Sequence, residues 1–433
     1  MSVNMKVSME GYMKVSTRVR GNARLKTRGL SVWRPAWAVF AVLILGFVVM
    51  ARPFVFGEEP KVTPSAKQGM TKPISLDSPQ DDPARFQGKI LSDVRTSIPS
   101  FDPSRNESVT VMFKLLKPAR VSLQVYDPDW DHVSTLSTGE DPVVGEQSLT
   151  WNGKDADGNI VPDEAYFFTL VSEEGKDIGK VYDPTTFSGG VEHDITSVRI
   201  DPEDGTVSYV MPEMGRVMIR VGIEGGPLLN TLVDWSPRLK GEVFERWNGK
   251  DKDNISDITR HPGFKMIISY FTLPENSVIT FGNKTVTYRG FKKLLTARRQ
   301  KKPGERDPGQ KLSAHYRLPR TVDYSPPVRM VFGDPSGSVA GDFSGGPAPT
   351  LKGKALVRVD LDEEDKKNFL NQQFEICFFL DHQFHAEDET GYAPFNWVWD
   401  LSNVEPGEHI LTVNVTGFRD QIGLSSRKVV VAR

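Results

Sequence analysis

The stretches WNGKDADGNI (residues 151–160) and WNGKDKDNIS (residues 247–256) begin with the same five residues. Only eight Trp residues occur among 433, so we do not attribute the repeat of this pentapeptide to chance. Apolar positions upstream recur at the same offset of 96 residues: Val111, Phe113 and Leu115 are matched by Val207, Tyr209 and Met211. An ungapped repeat of this kind predicts two copies of one module.

The residues around the repeat alternate between apolar and polar with a period of two. SVTVMFKL (108–115) and ARVSLQVY (119–126) show the alternation, and turn-forming clusters separate such runs. No long amphipathic helix is indicated between residues 100 and 280, so the expected class is all-β, built of sandwiches. A chain of 433 residues is long enough for about three domains of roughly 100–200 residues each.

The WNGKD motif fits a structural role better than a metal or catalytic one. An EF-hand loop needs Gly at its sixth position and Glu at its twelfth, but a loop starting at Asp155 has Ile160 and Tyr166 there. A looser oxygen-ligand site stays open, and no catalytic partner recurs beside the motif. We therefore predict that Trp151 and Trp247 fill sandwich cores, that Asn-Gly makes a turn, and that the Asp accepts loop N–H groups.

The first copy resembles the Ig-like domain of the flagellar hook-capping protein. The resemblance rests on Ala119, Val121, Gly145, Trp151, Asn152, Gly153, Asp155, Val161, Pro162 and Tyr166. Glu164 departs from it, because the family usually has Gly there, and the second copy keeps Pro262-Gly263 without the following Tyr. The resemblance implies tandem Ig-like β-sandwiches over about 100–285. It does not imply a hook cap.

The C-terminal region resembles bacterial Ig-like domains that end many surface proteins. The resemblance rests on PFNWVWD (394–400) and PGEHILTV (406–413), and it implies a third β-module with Trp399 in its core. A short helix is expected in the insertion DEEDKKNFLNQQ (362–373).

The N-terminal segment predicts membrane insertion. Residues 1–32 contain seven basic residues and one acidic residue, and residues 35–51 are uncharged and overwhelmingly apolar. The positive-inside rule then keeps the tail in the cytoplasm and exports the rest, as in a single-pass protein of a bacterial inner membrane. The alternative is a cleaved signal peptide and secretion.

These patterns divide the chain into seven segments. They are a basic cytoplasmic tail (1–32), a transmembrane anchor or signal segment (33–56), a disordered Pro-rich tether (57–99), two hook-cap-type Ig-like modules (100–188 and 189–283), a basic linker (284–324) and a bacterial Ig-like module (325–433).

Few residues are suited to metal or cofactor chemistry. Cys377 is the single cysteine, which excludes an intramolecular disulfide and a multi-cysteine zinc site. No catalytic residue and no cofactor is expected. The weak metal candidates form the cluster Asp381, His382, His385, Glu387 and Asp388, for which a solvated hairpin tip is the alternative.

Residues 284–320 contain twelve basic residues and two acidic ones. This excess predicts contact with an anionic partner such as lipid headgroups, a cell-wall polymer or an acidic protein. The contact candidates are Lys292, Lys293, Arg298, Arg299, Lys301 and Lys302; a solvated loop is the alternative. Nucleic acid is disfavoured for an exported segment.

Two functions follow as expectations. The first is a non-catalytic, membrane-anchored extracytoplasmic protein whose modules serve as spacers and docking surfaces in an envelope assembly. The second is a protein that binds carbohydrate or cell-wall polymer, with Trp130 and Trp235 as candidate stacking surfaces. An enzyme is the least favoured reading.

Overall fold

The computed structural model describes residues 3–6, 90–172, 179–301, 325–336, 347–370, 374–417 and 421–433. The predicted anchor (33–56) lies outside these residues, as do residues 57–89 of the tether. The disordered tether predicted at 57–99 is wrong for its last ten residues, because Leu91–Thr96 forms a strand that pairs with Val109–Ala119. Within the described part, no helix is both long and apolar enough to cross a membrane. Strands dominate this part, which confirms the all-β class.

Module 1 is a sandwich of two sheets. Its strands are β2 (Leu91–Thr96), β3 (Ser100–Phe101), β4 (Val109–Ala119), β5 (Val121–Tyr126), β6 (His132–Ser137), β7 (Val143–Trp151), β8 (Ala165–Ser172), β9 (Gly179–Tyr182) and β17 (Val278–Thr280). One sheet has the order β2-β4-β7, and the other has the order β3-β17-β8-β5-β6 with β9 paired to β8. The alternating apolar residues of β4 and β5 point into the shared core.

Module 2 repeats this arrangement. Its strands are β10 (Glu192–Asp194), β11 (Ser197–Asp201), β12 (Thr206–Met211), β13 (Gly215–Ile223), β14 (Leu228–Arg238), β15 (Gly241–Arg246) and β16 (Phe264–Thr272). The sheet orders are β11-β12-β15 and β10-β16-β13-β14, and a short strand β1 (Val3–Lys6) pairs antiparallel with β11.

Strand register is shared between the two modules. In module 1, Val111 pairs with Leu149 and Phe113 with Gln147; in module 2, Val207 pairs with Glu245 and Tyr209 with Val243. Every partner is displaced by the same 96 residues. The sequence offset is therefore also an offset in backbone pairing.

The chain returns to module 1 after module 2. Strand β17 pairs parallel with β3 and antiparallel with β8, and helix α1 (Tyr288–Lys301) follows it. Phe291 of α1 is 3% exposed within the core cluster of module 1, with Leu295 packed against that cluster. The boundary expected at 283/284 is therefore wrong, because these apolar side chains complete the core of module 1. Module 2 is an insertion between β9 and β17.

Module 3 is a separate sandwich that contains a short helix. Its elements are β18 (Val328–Gly333), β19 (Thr350–Lys352), β20 (Lys354–Leu361), α2 (Glu363–Leu370), β21 (Phe374–Leu380), β22 (Gln383–Asp388), β23 (Phe395–Asp400), β24 (Gly407–Gly417) and β25 (Ile422–Ala432). The sheet orders are β18-β20-β23 and β19-β25-β24-β21-β22. Trp399 is 1% exposed in its core, and α2 lies where the insertion predicts a helix.

Candidate functional site

The two WNGKD loops have the same internal hydrogen bonds. The indole N–H of Trp151 donates to the carbonyl of Lys154 at 2.9 Å, and that of Trp247 donates to the carbonyl of Lys250 at 2.8 Å. Both rings are buried, at 1% and 6% exposure. Each Trp therefore fills its core and also fixes the first turn of the loop that follows it.

The Asp of each motif organises the rest of its loop. Asp155 Oδ1 accepts from the backbone N–H groups of Asp157 and Asn159, at 3.0 and 2.8 Å. Asp251 Oδ1 accepts from those of Ile255 and Ser256, at 2.5 and 3.0 Å. These are local structural roles, and in both loops they use Oδ1 of the carboxylate.

The second loop also contacts module 3. Lys252 Nζ donates to the carbonyl of Leu424 at 3.0 Å, and Asp253 Oδ2 accepts from the N–H of Ser426 at 2.6 Å. Nearby, Asn414 accepts from the N–H of Leu228 and donates to its carbonyl, at 2.8 and 2.9 Å. The second loop therefore docks module 2 onto β25 of module 3.

Lys292 of α1 inserts into the loop between β5 and β6. We refer to residues Asp127–Asp131 as the aspartate loop. Lys292 Nζ lies 2.7 Å from Asp127 and 3.3 Å from Asp129, and it also contacts Asp131. Burial raises the pKa of Asp127 to about 7, helped by the charges of Asp131 and Asp129, while Lys292 acts in the opposite direction.

The pKa of Lys292 itself is raised. Burial lowers it, but the attraction of three carboxylates outweighs this effect. The two shifts are compatible, because one ammonium is shared among three carboxylates. Its charge therefore does not fully offset the effect of burial on the pKa of Asp127. Lys292 is the cation that holds α1 on module 1.

The same helix reaches module 3. Arg289 contacts Asp365 of α2 and lies 3.5 Å from Glu364, while Lys293 lies 2.5 Å from Glu364. Asp365 is completely buried, and its partner is one-third exposed. Helix α1 is therefore an ionic bridge between modules 1 and 3.

These contacts change the interpretation of the basic segment. Lys292 and Lys293 use their charges within the chain, because their acidic partners lie in other elements more than 70 residues away. The side chains of Arg298, Arg299 and Lys301, and the whole of Lys302, lie outside the described part. Contact of those four with an anionic partner stays a prediction.

Glu164, which departs from the family pattern, joins modules 1 and 2. Its carboxylate lies 3.1 Å from Arg216 Nη2, and the two side chains are 4% and 6% exposed. Burial raises the pKa of Glu164, and the Arg216 charge opposes the rise. One indication of this ion pair was present in the sequence: an acidic residue stands at a position where the family usually has Gly.

Tyr288 lies between two of these ion pairs. The Arg216 guanidinium and the Lys292 ammonium lie 5.9 and 5.7 Å from the centre of its ring, within cation–π range. Burial raises the pKa of its hydroxyl well above the ordinary value, and the charges of Asp127 and Asp129 add to the rise. The ring thus lies beside the cations of both ion pairs.

A cleft of about 510 Å³ lies where module 1, module 2 and α1 meet, and we call it the junction cleft. Its lining residues are Asp163, Glu164, Arg216, Asp234, Trp235, Ser236, Pro237, Arg238, Ile279, Thr280, Phe281, Tyr288 and Arg289. Three are acidic and three are basic, so the formal charge of the lining is zero. The sequence did not indicate the cleft, because its residues come from segments up to 126 positions apart.

The proposed metal candidates do not converge. Asp381 binds His409 Nδ1 at 2.6 Å and the N–H of Ile410 at 2.8 Å, whereas His385 Nε2 accepts from the indole of Trp399 at 2.9 Å. Asp388 accepts from the backbone N–H and the hydroxyl of Thr390, and His382 stacks edge-on against His261 of module 2. Within the described residues, no group of three or more His, Cys, Asp or Glu side chains is arranged to hold a metal ion.

The proposed stacking aromatics are not open surface platforms. Trp130 packs against Tyr126 and Phe167, with ring centres 5.8 and 4.9 Å apart. Trp235 is 6% exposed and packs edge-on against Phe271. Any sugar contact by Trp235 would have to occur inside the junction cleft, where it forms part of the wall.

Comparison with known proteins supports the reading of module 1. A family model described as the FlgD Ig-like domain matches residues 100–176. A search of curated proteins finds no match. The family match covers module 1 alone and does not extend to the whole chain.

Solved structures with similarity to the chain resemble it weakly. FlgD from P. aeruginosa is 22% identical over 21% of this chain and 66% of that chain, with a TM-score of 0.18. The PmoD soluble domain from Methylocystis sp. is 13% identical over 24% of this chain and 90% of that one, with a TM-score of 0.18. A bacterial ice-binding adhesin is 9% identical over 79% and 98%, with a TM-score of 0.17. TM-scores this low do not indicate a shared arrangement of modules.

Proposed function

We propose that the chain is a non-catalytic extracytoplasmic protein of a bacterial cell envelope, anchored by residues 33–56 in the inner membrane. Its three Ig-like modules, the second being a copy of the FlgD-type first module that is inserted within it, form a spacer with docking surfaces for a protein partner. A spacer must hold its modules at fixed separations, which requires contacts between them.

The observation that supports this role best is the bridging by helix α1. It packs into module 1 through Phe291, binds the aspartate loop through Lys292, and reaches module 3 through Arg289. The Glu164–Arg216 pair and the second WNGKD loop add contacts at the other two boundaries. Modules that are joined only by flexible linkers do not stay in one arrangement, so they would not keep ion pairs buried between them.

The proposed topology is tested by adding protease to intact spheroplasts. The seven-to-one basic excess before the apolar run puts residues 58–433 outside, so the modules should be degraded while a cytoplasmic marker survives. Full protection of the modules, with protease access shown by a periplasmic marker, would overturn the topology.

Strand β1 makes the topology testable in a second way. Val3–Lys6 pairs with Ser197–Asp201, and Met5 lies opposite Val198. A retained anchor at 33–56 would put these strands on opposite sides of the membrane, so pairing and anchoring exclude each other in one chain. Cysteines at Met5 and Val198, in a Cys377→Ser background, should stay uncrosslinked within one chain under oxidation if the anchor is retained.

Partner identity is tested by crosslinking in cells followed by mass spectrometry. A spacer in an assembly should give reproducible crosslinks from surface lysines of the modules to an envelope protein. Crosslinks confined to the chain itself would contradict the docking role.

A further inference from the structure

We infer that the free edge of strand β15 pairs with the same edge of a second copy of this chain. The two strands run antiparallel about a two-fold axis at Phe244, and they join the β11-β12-β15 sheets of two copies into one sheet. The inference does not rest on the proposed function, because neither a membrane anchor nor a spacer role requires two copies to pair. It rests on an open strand edge and on the order of charges along that edge.

Strand β15 (Gly241–Arg246) is the last strand of its sheet. It pairs with β12 over its whole length without a bulge, and no strand of the described chain pairs with its other side. An edge strand presents unpaired N–H and C=O groups to which another strand can bind, and prolines or bulges are common protections against such pairing. The sequence of β15, GEVFER, contains no proline, so this edge has neither protection.

The outward backbone groups of β15 belong to three residues. The N–H of Trp247 donates to the carbonyl of Gly205 at 2.9 Å, so the backbone of Trp247 faces the β12 side. Hydrogen-bonded and non-hydrogen-bonded residue pairs alternate along an antiparallel ladder. The N–H and C=O groups of Arg246, Phe244 and Glu242 therefore point away from β12, toward the open edge.

The side chains of the same three residues are self-complementary. All three are exposed, and a two-fold axis at Phe244 puts Glu242 of each copy opposite Arg246 of the other. Opposite charges directly across two strands stabilise the pairing of those strands. Arg246 also donates to the carbonyl of Asp204 at 3.3 Å, but a guanidinium has further N–H groups for a carboxylate. Pairing in this register therefore forms an ion pair at each end of the joined strands.

An exposed apolar pair lies at the centre of this edge. Phe244 is 64% exposed, more than any other large apolar side chain of the described residues, and Val210 is 61% exposed. Val210 of β12 lies opposite Glu242, so it is a diagonal neighbour of Phe244 on the outer face of the sheet. Pairing about the axis sets the two Phe244 rings directly across from each other and removes part of this apolar surface from water.

The first copy of the repeat lacks these features. Strand β7 of module 1 is also the last strand of its sheet, and its residues at the offset of 96 are Glu146, Ser148 and Thr150. A two-fold axis at Ser148 would set Glu146 against Thr150, with neither an ion pair nor an aromatic contact. Module 2 therefore has a self-complementary edge that module 1 does not have, and β7 supplies matched controls.

The first test is sedimentation velocity of the purified full chain in detergent, from micromolar to near-millimolar concentration. The paired segment is short, and interfaces below about 1,200 Å² are typical of weak complexes, so we expect a reversible equilibrium between monomer and dimer. Glu242→Arg and Arg246→Glu each set like charges across the axis and should each weaken the dimer about tenfold or more. The control Glu146→Arg should dimerise like the parent. A monomeric parent, or single variants that dimerise as well as the parent, would overturn the inference.

Mixing the two single variants tests the charge pattern itself. Glu242→Arg leaves two positive charges on the edge and Arg246→Glu leaves two negative ones, so each variant should fail to pair with itself and should pair with the other. The double variant Glu242→Arg/Arg246→Glu should also recover the dimer of the parent. Recovery shows at the same time that each altered chain folds. A mixture and a double variant that both stay monomeric would contradict the proposed register.

A disulfide test locates the two-fold axis. In a Cys377→Ser background, Phe244→Cys puts two cysteines opposite each other in a hydrogen-bonded pair, with Cα atoms about 5.5 Å apart and thus within disulfide range. Glu242→Cys separates the two cysteines by about 13 Å along the strand and should crosslink at least tenfold less. Ser148→Cys in β7 is the second control. Crosslinking in either control that equals that of Phe244→Cys would contradict pairing about Phe244.

Discussion

The indole nitrogens of Trp151 and Trp247 explain why the same five residues recur. Each donates to the carbonyl three residues later, inside the loop that its own strand leads into. The hydrogen bonds that define this corner all lie within about ten residues of the Trp, so local sequence was enough to predict a core residue and a loop organised by Asp. The contact between Phe264 and Trp247 was not predicted, because the chain between these two residues is two residues longer than the chain between Trp151 and Tyr166. The Phe264 ring stacks on Trp247 at 5.9 Å, whereas Tyr166 packs edge-on against Trp151.

Truncating either Trp should destabilise its own module. Trp151→Ala and Trp247→Ala should each lower the free energy of unfolding by about 3–5 kcal/mol, because each leaves a large cavity in a core. Urea unfolding combined with hydrogen exchange would assign the loss to module 1 or module 2. Val144→Ala, at a side chain 58% exposed, is the control and should change stability by less than about 0.5 kcal/mol. Unchanged unfolding in both Trp variants would refute the corner role.

The aspartate loop should give stability a specific dependence on pH. The pKa of Asp127 is raised from its ordinary value to about 7, so the folded state holds this proton more tightly than the unfolded state. Its contribution is complete below about pH 4 and is lost as the pH rises to about 7. The melting temperature of the parent, minus that of Asp127→Asn, should therefore fall between pH 4.5 and 7 and then level off. A difference that grows with pH would mean that Lys292 outweighs burial.

At the scale of elements, helix α1 shows that the partners of a charged segment cannot be predicted from the charges of that segment alone. The spacing of Tyr288, Phe291 and Leu295 is helical and could have predicted an amphipathic helix from sequence. The twelve basic residues of segment 284–320 led instead to the prediction of an external anionic partner. The acidic partners lie about 160 positions earlier, in the aspartate loop, and about 70 later, in α2. No local pattern connects such residues.

Neutralising Lys292 should loosen helix α1. Lys292→Gln leaves the carboxylates of the aspartate loop without their shared cation, and breaking a buried ion pair in this way costs about 3–5 kcal/mol. Backbone amides of Tyr288–Lys301 should then exchange with solvent at least tenfold faster, as measured by mass spectrometry. Lys284→Gln removes the same charge at an exposed position and is the control. Equal exchange rates in the two variants would contradict the bridging role of Lys292.

At the scale of the whole molecule, the order of modules along the chain differs from their order in the structure. Module 2 was predicted to follow module 1, but β17 and α1 return to module 1 after it. A three-residue strand has too few residues for a recognisable pattern, so the sequence could not show this insertion. Both ends of module 2 are thereby tied to module 1, and the Glu164–Arg216 pair lies close to that double connection.

Docking of module 2 onto module 3 can be tested because the repeat supplies its own control. Asp253 accepts from Ser426 at 2.6 Å, whereas its counterpart 96 residues earlier, Asp157, is exposed on the first loop. Asp253→Ala leaves the N–H of Ser426 without that acceptor and weakens the contact between the modules. The same change at Asp157 should leave the contact intact.

Spin labels at Lys240→Cys and Glu408→Cys, in a Cys377→Ser background, would report the separation of modules 2 and 3. Both labelled side chains are exposed, so the labels need not disturb either core. Double electron–electron resonance spectroscopy should give a narrow distribution of label-to-label distances in the parent and in Asp157→Ala, and a broader one in Asp253→Ala. A charged acceptor holding a backbone N–H contributes about 1.5–3 kcal/mol, enough to shift the balance of docked and undocked forms more than tenfold. An equally narrow distribution in all three would mean that the second WNGKD loop does not determine how the modules are held.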